Sequence, residues 1–251
     1  MLSQNQSKLV RSLHQKKYRV EEGLFLVEGD KMVLELLDNT TLEPNHVFAV
    51  REWLDKHYKQ IKKSLFPVTE VLPEELERIS TLVTPNQVLA VVKIPHAPVN
   101  TDLPAERTCF YLDGIQDPGN MGTILRIADW FGIPAVYCSP DCVDLYSPKV
   151  VQASMGAVFR VPSWEISLEQ LLENQSNIAV MGAVMDGKDV FKNSLAATGI
   201  LVIGNEGKGI RPSCERLLTH KISIPRHPKG RAESLNAAVA TGILAALIPA
   251  K

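Results

Sequence analysis

The sequence predicts an α/β protein: a mainly parallel sheet with helices on its faces, preceded by a smaller α/β domain. Three observations predict it. Short apolar runs of β-forming residues alternate with helical patterns along the chain. A stretch at 95–106 with Pro95, Pro98 and Pro104 has no periodicity and reads as a linker. Beyond it, three turns rich in Gly, Asn or Pro each follow a strand pattern, at the sheet edge where open α/β sheets bind ligands.

The smaller domain spans 1–94. Its pattern predicts a basic helix over 7–19, a strand at 24–27 and a helix at 31–37. A strand at 47–50 and a polar helix at 52–62 follow. A helix opened by Pro73 and an apolar strand at 88–92 complete it. The second domain, 107–251, has strand patterns at 108–112, 135–138, 178–184, 200–203 and 221–224. Ser147-Pro148 is a helix start, with Ser as the cap and Pro at the first helical position. A final Ala-rich helix is expected over 234–247, with Leu235, Val239, Ile243 and Leu247 on its apolar face.

Composition bounds the function. The hydrophobic fraction of 45% and charged fraction of 22% are those of an ordinary globular protein. No apolar run reaches membrane-span length and no signal core opens the chain, so no membrane role and a cytoplasmic location are expected. The four cysteines form no Cys-x-x-Cys pair, and no metal site is expected. Net charge is −1, so any polyanion must meet a local patch. Lys8, Arg11, Lys16, Lys17 and Arg19 form one such patch, and the loop from Arg226 to Arg231 another.

The stretch from Tyr111 to Gly132 reads as strand, turn and helix, and it brings Asn120 and Arg126 toward the sheet edge. A second turn, Gly204-Asn-Glu-Gly-Lys-Gly209, has neither the spacing of a phosphate-binding P-loop nor that of the dinucleotide fingerprint. The third runs from Ile222 to Asn236, where Ser234 is placed to cap the last helix.

Together these turns resemble the SpoU (TrmH-type) branch of the SPOUT RNA methyltransferases. Asn120-Met-Gly122 with Arg126 matches the first family motif, 204–209 the second, and Ile224-Pro225 with Ser234-Leu-Asn236 the third. Residues 1–95 more loosely resemble an L30e-like substrate-binding domain. Arg226 stands where Met is common in the family, in a loop more basic than usual, which bears on substrate choice. The resemblance implies a deep trefoil knot, a homodimer, and S-adenosylmethionine held by backbone at Gly204, Ile224 and Leu235. It implies methyl transfer to a ribose 2′-hydroxyl, expected in ribosomal RNA of the 23S type. Transfer RNA is the alternative substrate, and a non-catalytic RNA-binding or ribosome-assembly protein the alternative class. Arg126 is the catalytic cation, with Asn120, Glu206, Ser234 and Asn236 orienting it, the ribose and the cofactor. A guanidinium stays protonated, so charge stabilisation suits Arg126 better than proton removal.

Overall fold

The computed structural model describes every residue except 39–41, 43, 65, 176, 250 and 251. The chain forms two compact units: Met1–Ala97 with Asp144–Phe159, and Pro98–Val143 with Arg160–Lys251. The sequence segments therefore do not coincide with the compact units, because 144–159 makes its contacts with the first.

The first unit holds a four-stranded sheet. Its strands are β1 (Leu24–Glu28), β2 (Pro44–Ala49), β3 (Val68–Glu70) and β4 (Val88–Lys93), in the order β1-β4-β2-β3. β4 runs antiparallel to β1 and β2, and β3 parallel to β2. β1 is buried throughout, as expected of a strand covered on both faces. The rings of Tyr146 and Phe159 pack on Phe25 of β1, at centroid distances of 4.9 and 6.5 Å. That packing is why 144–159 belongs to this unit. Ser147 caps the helix Pro148–Ser154 as the sequence indicates.

Two expected helices are broken, each at a buried polar contact. The basic helix is two, Gln4–Ser12 and Lys16–Glu22. Arg19 from the second turns inward and donates to the free carbonyl of Leu13 at 2.7 Å. It also donates twice to Asp144 Oδ2, at 2.9 and 2.6 Å, and is 3% exposed. Arg19 is therefore a structural cation and drops out of the expected surface patch. The helix expected over 52–62 breaks at His57, whose Nε2 lies 3.1 Å from Asp30 Oδ1. The short strand β3 has too few residues for alternation to reveal.

The second unit is a six-stranded, wholly parallel sheet. Its strands are β5 (Thr108–Asp113), β6 (Val136–Cys138), β7 (Ser163–Glu165), β8 (Val180–Asp189), β9 (Gly199–Gly204) and β10 (His220–Ser223). The order is β10-β8-β9-β5-β6-β7. β5 and β9 lie at the centre and are buried almost throughout, while β10 and β7 form partly exposed edges. Tyr111, Tyr137, Leu168, Leu171, Ile200 and Val202 join one core cluster.

From β5 the chain builds outward through β6 and β7, then crosses to the other side of β5, where β8 is laid down one strand away and β9 fills the place between β8 and β5. The β5–β9 boundary is thus a topological switch point, where a crevice opens beyond the carboxyl ends of the strands. The supposed linker contributes a helical turn, Leu103–Glu106, and the carbonyl of Asn100 accepts from the Tyr137 hydroxyl.

At the opposite edge, β8 wraps around β10. The pairing jumps from Lys221↔Gly182 to Ile222↔Lys188. Ser223 then donates its hydroxyl to Met185 O at 3.2 Å and accepts from Val190 N at 3.0 Å. Gly187 makes this approach possible, since a Cβ there would lie 2.4 Å from the Ile222 carbonyl carbon.

The last helix is Ala237–Ala245, shorter than expected. Its cap is Asn236 and not Ser234, with Oδ1 accepting from Ala238 N and Val239 N at 3.0 and 3.2 Å. Its buried face is Ala237, Ala238, Thr241, Leu244 and Ala245. Leu235 and Val239, expected on its apolar face, are 46% and 52% exposed. Helical spacing says which residues share a face, and here small residues won the inner one, bringing this helix close against helix Pro118–Trp130.

Candidate active site

Asp117 caps helix Pro118–Trp130, accepting from Asn120 N at 2.8 Å, with Pro118 at the first helical position. This cap fixes the first turn and carries the Asn120 side chain to the end of β5. Asn120 Nδ2 donates to Glu206 Oε1 at 2.5 Å, and its Oδ1 accepts from Asn236 Nδ2 at 2.8 Å. The three polar turns meet at one amide. Asn120, Glu206 and Asn236, all expected from sequence, are brought together here.

The turn after β9 is held by side-chain mimicry of backbone. Asn205 Oδ1 accepts from Gly207 N and Lys208 N at 3.0 and 3.1 Å. Its Nδ2 donates to Gly114 O at 2.8 Å, tying the turn to the end of β5 across the switch point. Gly204 is required where the turn closes, because a Cβ would lie 2.3 Å from the carbonyl carbon of Gly209.

A second anchor was not legible in the sequence. Asp113, 1% exposed, accepts from Arg211 N at 2.7 Å and lies 2.5 Å from Arg211 Nε. The same guanidinium reaches Asp141 Oδ1 at 2.5 Å and Ser139 Oγ at 3.2 Å. Partial burial works to raise the Asp141 carboxyl, but hydrogen bonds from Arg211 and Ser139 hold it below the usual carboxylate range. Arg211 is raised in turn, chiefly by its hydrogen bond to Asp141. A single arginine thus clamps the far end of the 205–210 turn to the ends of β5 and β6.

Between this turn and the third lies a cavity of about 800 Å³, within the usual range for a cofactor site. Gly204, Ile224 and Leu235 all line it, together with Glu206 and Ser234. Ile210, Ile222 and Leu244 make much of the wall apolar. An apolar slot edged by main chain and by the carboxylates of Glu206, Glu215 and Glu233 fits a nucleoside joined to a cationic group. Among the described residues no group of three or more His, Cys, Asp or Glu could hold a metal ion.

Arg126 stands apart. It is exposed and has no hydrogen-bond or ion-pair partner among the described residues. Six residues beyond Asn120, it lies about 9 Å along the helix and about 120° around it. Ser234 likewise makes no bond to Asn120, Glu206 or Asn236; it lines the cavity instead. The expected orienting contacts to Arg126 are not formed within this chain.

Comparison with known proteins follows the two sequence segments rather than the two compact units. Residues 107–246 match the model of the SpoU rRNA Methylase family, and 4–90 match the MRM3-like substrate binding domain. A solved structure from Porphyromonas gingivalis, assigned to the TrmH family of RNA methyltransferases, is 38% identical. It superposes with a TM-score of 0.85, covering 98% of this chain and 97% of that one. An AdoMet-bound rRNA methyltransferase from Sinorhizobium meliloti is 27% identical with a TM-score of 0.83, covering 98% and 95%. The 23S rRNA (guanosine(2553)-2′-O)-methyltransferase of Bacillus subtilis is 29% identical, over 93% of this chain and 92% of its own length. With its motifs, its parallel sheet and its matched segments in agreement, this chain belongs to the SpoU rRNA methylase family.

Proposed function

We propose that the protein methylates a ribose 2′-hydroxyl in ribosomal RNA of the 23S type, using S-adenosylmethionine. The observation that carries this is the convergence of Asn120, Glu206 and Asn236 beside a cavity lined by Gly204, Ile224 and Leu235. The names of relatives support the substrate: the Bacillus subtilis protein acts on a 23S guanosine and the Streptomyces viridochromogenes one on a 23S uridine.

Gly204, Ile224 and Leu235 would hold the cofactor, and the apolar wall would take its adenine. When bound, S-adenosylmethionine supplies a methyl group already activated as a sulfonium. The protein then has to position the acceptor and improve a poor nucleophile. The acceptor 2′-hydroxyl would give its proton to water as it takes the methyl group, with the sulfonium S–C bond breaking to leave a neutral thioether. The guanidinium of Arg126 stabilises the developing oxyanion and grips the neighbouring phosphate. Asn120, Glu206 and Asn236 fix the walls against which the ribose rests, and Ser234 offers a hydroxyl at the cavity.

Residues 1–94 act as the RNA-binding domain, with exposed Lys8, Arg11, Lys16 and Lys17 as phosphate contacts, and 107–251 as the catalytic domain. Exposed Arg226, which lines the cavity, adds a second cationic surface with exposed Lys229 and Arg231 of the same loop. A trefoil knot is supported by the way the 185–190 segment bonds Ser223 from both sides. A homodimer through the second unit is supported by exposed Leu235 and Val239, which a partner would cover. A cytoplasmic location suits an RNA substrate and four free thiols, and no described helix is long and apolar enough to cross a membrane. The test is transfer of a labelled methyl group from S-adenosylmethionine to purified ribosomal RNA. Label on RNA supports the reading; cofactor binding without transfer to any RNA contradicts it.

A further inference from the structure

Between Pro225 and Ser234 the chain makes an excursion that carries three cations, Arg226, Lys229 and Arg231, and closes on itself. His227 to Gly230 form a β-turn. The carbonyl of His227 accepts from Gly230 N at 2.7 Å, and His227 Nδ1 accepts from Lys229 N at 3.2 Å. Pro228 takes the second position of this turn and Gly230 the fourth, where each residue type is favoured. Arg226 then bridges the neck, its Nη1 donating to Ala232 O at 3.1 Å. Its aliphatic stem lies on Gly230, where an added Cβ would sit 3.1 Å from Arg226 Cγ and 3.0 Å from His227 O. Turn, bridge and the fixed φ of Pro225 and Pro228 hold the excursion as a preformed hook.

The hook has two sides. Arg226, His227, Gly230 and Ala232 line the cofactor cavity, whereas Lys229 and Arg231, both exposed, do not. No residue of the hook lines the groove of Thr123, Ile127, Val239, Gly242 and Ile243, so it stands apart from the apolar surface left to a second copy of the chain. Neither Lys229 nor Arg231 has an ion-pair partner among the described residues. Holding two like charges two residues apart costs repulsion, which a polyanion with regularly spaced charges relieves. Arg226 is differently placed. Its bond to Ala232 and its contact with Gly230 commit the side chain to the loop itself, so its geometry shapes the hook while the other two cations face outward. A nucleic-acid strand whose ribose reaches the cavity would pass this outer side, where cations bind phosphates without regard to base.

We propose that Arg226 is a positioning residue for RNA binding: it closes the hook that presents Lys229 and Arg231 to neighbouring phosphates of the strand leading to the cavity. Lys229 and Arg231 make the contacts, and Arg226 acts through them. This rests on the reading of the protein as an RNA methyltransferase and adds to it the device that holds the strand at the cavity.

The test titrates the full-length protein with purified 23S-type ribosomal RNA at several salt concentrations between about 50 and 200 mM. The paired variant, Lys229→Gln with Arg231→Gln, should bind about tenfold more weakly. The slope of its log affinity against log salt should be shallower by about 1.4–1.8, the share of two phosphate contacts. Its affinity for S-adenosylmethionine should stay unchanged, and the loss should appear in the KM for RNA rather than in kcat. Arg226→Met alone should weaken RNA binding about threefold or more. Added to the paired variant it should cost no further affinity, because the contacts it positions are already gone. An unchanged slope in the paired variant overturns the proposal. So does an Arg226→Met loss that multiplies with the paired loss, which would make Arg226 a contact of its own. Wild-type protein that binds the RNA through the hook yet methylates no RNA would remove the enzymatic reading and leave the hook's role standing.

Discussion

Asn236 and Asn120, 116 residues apart in sequence, are joined by a hydrogen bond of 2.8 Å from Asn236 Nδ2 to Asn120 Oδ1. The other end of the Asn236 amide caps the last helix. One side chain therefore links a structural task to a site task, and the two are separable. Asn236→Asp keeps a good capping oxygen but cannot donate to Asn120. It should hold stability within about 0.5 kcal/mol of wild type while lowering methyl transfer. Asn236→Ala should lose both, at about 1 kcal/mol of stability. Urea unfolding and a transfer assay on the two variants check this.

Asp113 is buried with its carboxylate on Arg211. Arg211→Ala leaves that charge uncompensated in the core, and stability should fall by about 2–3 kcal/mol. That is less than the full cost of breaking a buried pair, because Arg211 is 38% exposed and its main-chain N–H still donates to Asp113. The 205–210 turn should loosen with it. Calorimetric titration should show weakened S-adenosylmethionine binding.

The Asp141 carboxyl is held below its usual range in the folded protein, so it binds its proton more weakly than in the unfolded chain. Its contribution is full above the unfolded value of about 4 and is lost as pH falls through the lower folded value. Asp141→Asn should therefore be less stable than wild type at neutral pH. The deficit should be about 0.2–1 kcal/mol, because the side chain is 50% exposed. The gap should close as pH falls from about 4 through the lower folded value, where the wild-type carboxyl itself takes up a proton. Unfolding midpoints from neutral pH down through that range give the comparison.

Arg126 has no bonding partner among the described residues, so removing it should cost the fold little. Arg126→Ala should keep its unfolding midpoint and its affinity for S-adenosylmethionine while losing about a hundredfold or more in transfer rate. Arg126→Lys should not restore the rate, because a point charge does not reproduce the planar fork. Single-turnover rates with saturating cofactor measure this, and an unchanged rate would remove Arg126 from the chemistry.

What the sequence made legible follows from the range of the interactions. Asn120, Glu206 and Asn236 sit in turns whose local chemistry is visible, so their convergence could be anticipated from motifs. The Asp113–Arg211 clamp joins residues 98 apart and leaves no local pattern. Arg19 looked like one more surface cation because its partner, Asp144, lies 125 residues away. Leu235 and Val239 share the apolar face that periodicity predicts, but periodicity groups residues by face without saying which face meets the sheet, and both are exposed. Helix ends moved by a few residues wherever a side chain, such as Asn236 or Arg19, captured the terminal backbone groups.

The most direct test of methyl transfer to ribosomal RNA is a map of 2′-O-methyl groups in RNA from cells with and without this gene. The account predicts one 2′-O-methylated nucleotide of the large ribosomal RNA that disappears without the gene. It should return with the wild-type protein and not with Arg126→Ala. An unchanged ribosomal map, with a 2′-O-methyl group lost from transfer RNA or from no RNA, would contradict it.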